Sequence, residues 1–361
     1  MSEVRRTQVL VGVGRQDGLA AGFHLRRAGL DFAILDANTA PGGAWQHYWD
    51  TLRLFSPAAY SSLPGRMMPP QPGEPYPDAT HVVNYLAEYE KRYELPVHRS
   101  VWVEGITRDS EGLVAATDNG IWAAQAVILA TGSWARPFVP TIPGRSRFAG
   151  RQLHTYGYRS AVDFTGQRVV VVGGGNSGAQ IAADLLPRAT VRWVTRRPPR
   201  YLPDEIDGRA LFDLATRRVQ AATTGAAHGG VGALGDIVAV PPVRAARDAG
   251  LLTAHPMFAT LGPTGPVWAD GSSWDCDTII WCTGFRPDLG PLTPLGLRRP
   301  GGRLAVEGTI PQPSAGGTPI LEDPRVHLLG YGDWTGPASA TLIGVGRTAR
   351  TAVQQMKTLL K

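Results

Sequence analysis

Glycines at 173, 175 and 178, in the spacing G-x-G-x-x-G, suit one task well: they let a backbone approach a phosphate. The first permits a tight turn, the second leaves room for a pyrophosphate, and the third lets a helix pack on a strand. Asn176 and Ser177 lie within the loop, at a helix N-terminus whose free N–H groups favour an anion. Arg196 and Arg197 stand about 18 residues beyond Gly178, near the position whose side chain meets an adenosine ribose. An acid there favours NAD. Arginine suits the 2′-phosphate of NADP(H), although a solvated arginine pair at a strand end is the plainer alternative.

Such a loop works only between a strand and a helix, and the chain supplies both. Val169 to Val172 is a buried-strand pattern, and Ile181, Leu185 and Leu186 carry the helical period. "TVRWVTRR" is then the second strand of this unit. The segment "VLVGVGRQDGLAAG", residues 9–22, lies over it without gaps. Gly18 falls on Gly178 and Asp36 on Arg196, at the end of the strand "LDFAILD". Asp36 is placed to accept a ribose 2′-OH. One unit suits an adenosine with a free 2′-OH and the other a 2′-phosphate, so FAD with NADP(H) is the economical pair.

A second echo closes each unit: Thr131-Gly132 in "AVILATGSWARP" and Thr283-Gly284 in "DTIIWCTGFRPD". The order predicts an α/β chain of two Rossmann-like dinucleotide-binding domains, the second inserted into the first, as in a glutathione-reductase-like architecture. Residues 1–147 and 291–361 form the FAD-type domain. Residues 148–290 form the NADP(H) domain, which includes the small-residue segment 221–235, either a lid or a loop without function.

The first loop departs from its pattern. In the gapless register its three glycine positions fall on Val13, Arg15 and Gly18. The other register, Gly12, Gly14 and Gly18, has one residue too many between the last two. Arg15 stands where approach to a pyrophosphate requires no side chain. Asp17, at the helix start, can cap the N–H groups that a phosphate would use. This leaves FAD binding in question.

"FAGRQLHTYGYR" carries F-x-G-x-x-x-H-x-x-x-[WFY] at Phe148, Gly150, His154 and Tyr158, just before the second glycine loop. With "PGGAWQHYW" (Gly42, Gly43, Trp45), "DTLRLFSPAAYSSLPG" and "GYGDWTGPASATLIGVGRTA", it resembles the flavin-containing monooxygenases. That group includes the plant YUCCA-type enzymes and the flavoprotein monooxygenases encoded with bacterial arsenic-resistance genes. The resemblance covers nearly the whole chain. It implies an NADPH-dependent flavoprotein that oxygenates a small molecule at N, S or a carbonyl through a flavin C4a-(hydro)peroxide. It places the flavin against Gly14, Arg15, Gly18, Asp36, Gly43, Trp45, Thr131, Gly132, Gly332 and Asp333, with Asp333 at the ribityl chain. The cofactor carries the hard step, so no catalytic base is implied. The alternative is a flavin-free descendant that keeps NADP(H), or only the fold, and catalyses another step or none.

Other residues have plainer readings beside functional ones. His154 either senses NADP(H) or is an interdomain hydrogen-bonding histidine, and Arg53 either faces the flavin or substrate or makes a surface ion pair. Trp45, Trp49 and Trp134 line an aromatic pocket or fill a core. Val82, Val83, Leu86 and Tyr89 have core spacing. The two cysteines, Cys276 and Cys282, match neither a redox pair nor a metal site, which weighs against a disulfide reductase. The net charge of +6 over 361 residues comes almost wholly from arginine in no long run, which argues against nucleic acid. No run approaches the roughly 18 apolar residues of a membrane span, and no secretory signal stands at the N-terminus. A cytoplasmic protein with a small-molecule substrate is expected, with a homodimer as the candidate assembly.

Overall fold

Each glycine loop follows a strand of apolar residues, many of them β-branched, and each such strand sits centrally in a largely parallel sheet, where both faces are covered. The computed structural model describes residues 4–12, 15–204, 237–296, 305–312, 323–336 and 338–361. Val13, Gly14 and the segment 221–235 lie outside the described residues.

In chain order the strands are β1 (Val4–Gly12), β2 (Phe32–Asp36), β3 (Val97–Arg99), β4 (Val103–Arg108), β5 (Leu113–Thr117) and β6 (Gly120–Leu129). β7 (Arg151–His154), β8 (Arg168–Val172), β9 (Thr190–Thr195) and β10 (Ala254–Pro256) follow. Next come β11 (Thr260–Leu261), β12 (Pro266–Val267) and β13 (Thr278–Trp281), then β14 (Ala305–Glu307), β15 (Ile310–Gln312) and β16 (Val326–Leu328). The helices used below are α1 (Gln16–Ala28), α2 (Ala79–Arg92), α3 (Asn176–Leu185), α4 (Pro241–Asp248) and α5 (Val345–Leu359).

The first sheet runs β3-β2-β1-β6-β5-β4, with β16 also paired to β6. The second runs β10-β9-β8-β13-β7, every pairing parallel. The strands of the second sheet thus fall, in sequence, between β6 and β16 of the first. On the first sheet, Val9, Val11, Ile34 and Ile128 pack with Leu19 and Leu25 of α1 and Val353 and Met356 of α5. Val82, Leu86 and Tyr89 of α2 join this core. On the second, Val169, Val171 and Ile280 pack with Ile181 and Leu185 of α3 and with Trp193. No helix among the described residues is long and apolar enough to cross a membrane.

The two units match closely at their loops. β1 ends at Gly12 and β8 at Val172, and the helices begin at Gln16 and Asn176. Their N-cap residues, Arg15 (φ −81°, ψ 176°) and Gly175 (φ −107°, ψ −173°), are both extended. The match then slips by one residue: Gly12 pairs with Leu35, but Val172 pairs with Val194. Asp36 therefore corresponds in register to Thr195, and Arg196 stands one residue further out. The connections differ, since α1 ends on Gly29 in the left-handed region while α3 ends on right-handed Leu186.

Two glycines of the second loop are sterically required. Gly173 has φ +142°, and a methyl group there would lie 2.2 Å from the Cys282 carbonyl oxygen. A methyl group on Gly178 would lie 2.1 Å from the Gly173 carbonyl oxygen. Backbone cannot yield as a flexible side chain does, so Gly178→Ala is expected to destabilise the chain by about 1–3 kcal/mol. Urea denaturation would measure it, and an unchanged midpoint would refute the packing role.

Candidate functional site

The two Thr-Gly closures are tied together at one place. Phe138 N–H donates to the Gly284 carbonyl (3.0 Å), Arg286 N–H to Arg136 (2.8 Å), and Asp288 N–H to Gly132 (2.8 Å). Thr283 Oγ1 donates to the Phe138 carbonyl, and Thr131 Oγ1 donates to the Asp288 carbonyl and meets the Tyr331 hydroxyl at 2.6 Å. The closure of each unit is thereby hydrogen-bonded to the other.

The second loop is open. A methyl group on Gly175 would meet nothing within 4 Å, so the backbone there is accessible to a ligand. Gly173, Gly175, Asn176 and Ser177 are half-exposed, Gly178 is buried, and Arg196 and Arg197 are exposed just beyond β9. Asn176 accepts at Oδ1 from Val238 N–H (2.9 Å), which anchors the first residue of α3. An open loop, a helix N-terminus and two exposed guanidiniums at a strand end can hold a dinucleotide that carries an extra phosphate.

The first trough is filled by the chain's own side chains. A methyl group placed on Gly43 would lie 3.0 Å from Arg15 Cγ, and one on Gly132 would lie 2.9 Å from Arg15 Nη1. The Arg15 side chain thus reaches from Gly43 across to Gly132. Its Nε is enclosed and has no hydrogen-bond partner, and Arg15 forms no ion pair among the described residues. Burial lowers the guanidinium pKa, with the charge of Asp17 opposing that shift. Asp17 is itself buried, packed against Gly330, with Oδ1 unpartnered. Burial pushes its carboxyl up to about 7 despite the opposing charge of Arg15.

Other expected flavin positions surround this pair. Trp45 donates from its indole N–H to Gln16 (2.9 Å), and Gln16 donates to the Ala340 carbonyl (3.1 Å). Gly332 begins a short turn, Gly332–Trp334, that contains Asp333, and its carbonyl accepts from Ser339 (2.7 Å). Gly18 is buried in the first turn of α1. Asp36 is completely enclosed and its carboxylate is already engaged: Oδ1 accepts from Asn38 N–H (3.0 Å) and side chain (2.8 Å), and Oδ2 pairs with Arg99. What remains is a cavity of about 150 Å³ bordered by Arg15, Asp17, Trp45, Tyr48, Trp134 and Phe285. In this form the first trough does not fit FAD. Its pyrophosphate path holds Arg15, and its ribose acceptor is enclosed and bonded to the protein.

The weaker candidates fall elsewhere. Arg53 pairs with Glu74 (2.9 Å) and Asp78 (3.9 Å), and its backbone exchanges hydrogen bonds with Gln180 of α3. It borders a separate cavity of about 280 Å³. Both His154 nitrogens are engaged: Nε2 with the Gly284 carbonyl (2.9 Å), and Nδ1 accepting from Tyr156 N–H (3.0 Å). Burial lowers its pKa, so the ring is held neutral as a link from β7 to the second closure. Trp49 is core, packed edge-on to Tyr158. Trp134, by contrast, lies beside Tyr48 (4.6 Å) and stacks on Phe285 (5.0 Å) at the cavity. Tyr48 and Tyr331, beside Arg15, lie within the motifs quoted above but were not among the expected site residues. Cys276 and Cys282 are free, and burial pushes both thiols up to about 12. No cluster of metal-binding side chains occurs among the described residues.

Two parallel-sheet nucleotide units with joined mouths define an FAD/NAD(P)-binding type of oxidoreductase fold. The model of the pyridine nucleotide-disulphide oxidoreductase family matches residues 9–207. A solved flavin-containing monooxygenase from Stenotrophomonas maltophilia is 45% identical, with a TM-score of 0.88 over 99% of this chain and 100% of that one. The oxidoreductase CzcO of Bacillus subtilis is 28% identical over 352 residues, 96% of this chain and 98% of its own length. The probable indole-3-pyruvate monooxygenase YUCCA4 of Arabidopsis thaliana is 32% identical over 212 residues, 57% of this chain and 51% of its own length. The chain belongs to the pyridine nucleotide-disulphide oxidoreductase family, within its flavin monooxygenase group. It is an oxidoreductase of the monooxygenase type.

The state of Asp17 gives a pH signature. Its folded pKa is raised, so the native chain retains a proton that the unfolded chain releases above about pH 4. The resulting stability is complete below that pH and is lost as pH rises to about 7. Asp17→Asn should match the parent near pH 4 and exceed it at pH 8 by on the order of a few kcal/mol. Denaturation midpoints across that range measure the difference, and parallel profiles for the two proteins would refute it.

Proposed function

We propose that the chain is an NADPH-dependent flavoprotein monooxygenase acting on a small molecule, with N, S or carbonyl oxygenation as its chemistry. NADP(H) is assigned to the second loop. Gly173, Gly175 and Gly178 let the backbone approach the pyrophosphate, Asn176 and Ser177 open α3 towards it, and Arg196 and Arg197 meet the 2′-phosphate. The observation that carries this reading is the open cradle at Gly175 with two exposed arginines beyond β9. The relative named as a flavin-containing monooxygenase, at 45% identity over nearly the full chain, supports the reaction class. The two inert thiols give no support to disulfide chemistry.

The filled first trough favours a second reading: a chain that keeps NADP(H) and works without flavin, by hydride transfer or a redox-neutral step. For FAD to enter, Arg15 must leave the path between Gly43 and Gly132, and Asp36 must exchange a protein partner for a ribose hydroxyl. No step through flavin follows from the geometry with Arg15 in place.

A visible spectrum of the purified protein, followed by separate titrations with FAD, NADPH and NADH, tests both readings. Flavin absorbance together with substrate-stimulated NADPH oxidation is the outcome expected of the monooxygenase. Colourless protein that ignores added FAD but binds NADPH leaves only the second reading. Arg196→Ala should weaken NADPH by about tenfold or more, a loss of about 1.4 kcal/mol or more, with little change for NADH. Equal weakening of both nucleotides would remove the 2′-phosphate assignment.

A further inference from the structure

We propose that Arg15 is an internal competitor for the pyrophosphate of a flavin dinucleotide: its side chain holds the first trough, and FAD affinity is low because of it. The proposal rests on the family reading that this trough is a dinucleotide site.

The chain's second copy supplies the comparison. Arg15 and Gly175 are equivalent N-cap residues with similar extended backbones. At Gly175 a side-chain carbon would enter open space, with nothing within 4 Å. That open space is the approach a pyrophosphate uses. At residue 15 the corresponding space holds a long side chain. Arg15 Cβ lies 3.4 Å from a methyl position on Gly43, Cγ lies at 3.0 Å, and Nη1 lies 2.9 Å from a methyl position on Gly132. The direction of Cβ is set by the backbone, so turning the guanidinium away leaves the first carbon in the trough. The arginine is thus more than a charge that a ligand could pair with and keep.

Four further observations point the same way. The Nε of Arg15 is enclosed without a partner, and Arg15 forms no ion pair among the described residues. Asp17, whose counterpart in the second loop is Ser177, adds a buried carboxyl at the start of α1, where phosphate oxygens would meet free N–H groups. The adenosine end is also shut, because Asp36 is enclosed and bonded to Arg99 and Asn38. The remaining cavity of about 150 Å³ falls below the roughly 300–1,000 Å³ of ordinary cofactor and ligand pockets.

Glycine fits the backbone at position 15 without strain, as Gly175 demonstrates, and glycine is an acceptable N-cap. The test is titration of FAD, followed by quenching of flavin fluorescence, into the full-length parent, Arg15→Gly and Arg15→Gly/Asp17→Ser. NADPH binding to the second loop serves as the folding control. Arg15→Gly should bind FAD at least about tenfold more tightly than the parent, and the double variant should bind at least as tightly again. Arg15→Ala, which keeps Cβ, should fall between parent and glycine variant, and it carries the test if Arg15→Gly loses NADPH binding. With NADPH binding intact, unchanged FAD affinity in the glycine and double variants overturns the proposal. Weaker binding overturns it too, and would identify Arg15 as a phosphate ligand. Loss of NADPH binding by the parent would instead count against the functional reading, and the two failures are separable.

Discussion

The ladder between the two Thr-Gly closures is the contact on which the site depends. A glycine loop at the carboxyl end of a parallel strand can hold a nucleotide, but electron transfer between nucleotides requires two such loops to face one gap. Phe138, Gly284, Arg136, Arg286, Gly132 and Asp288 join the two closures through backbone hydrogen bonds. Being backbone contacts, they tolerate side-chain change around them. His154 reinforces the ladder by fastening the Gly284 carbonyl to β7. Trp134 and Phe285 cover it with stacked rings.

Much of this architecture was legible in the sequence, because backbone demands leave residue-type signatures. Apolar runs before glycine loops marked β1 and β8, and the repeated Thr-Gly pairs marked the ends of the strands that carry them. The second nucleotide loop was legible for the same reason: Gly173 and Gly178 answer to steric limits a few ångströms away. Two things were not. The slip of one residue between the copies depends on how each helix ends, which a gapless comparison hides. The destination of Arg15 was also hidden, because its reach depends on where Gly43 and Gly132 lie, and both are distant in sequence. The enclosure of Asp36 by Arg99 and Asn38 belongs to the same class. An acid at a strand end reads identically whether its partner is a ribose or an arginine.

The two halves show what a nucleotide fold needs for itself and what it needs for its ligand. Gly178 answers to the fold, since its hydrogen abuts a neighbouring carbonyl. At Gly175 the fold imposes no such limit, since a methyl group there would meet nothing within 4 Å. The first unit follows this division: Gly18 persists, while the residue matching Gly175 is arginine. Asp17 and Arg15 bring opposite charges into a place of low polarity, where each is costly without full pairing. The chain tolerates that cost next to well-packed strands, as many proteins do at positions freed from, or reserved for, a binding task.

The return of the chain to its first sheet means that this sheet is complete only once β16 and α5 are in place. β16 pairs with β6, and α5 packs on α1, yet some two hundred residues separate β6 from β16. Every strand of the second sheet is available before β16 leaves the ribosome. The second unit can therefore close while the first still exposes the β6 edge and the apolar face that α5 will cover. Such an edge invites pairing with other chains until it is capped. In the folded chain β16 covers the last residues of the β6 edge, and α5 completes the core around α1.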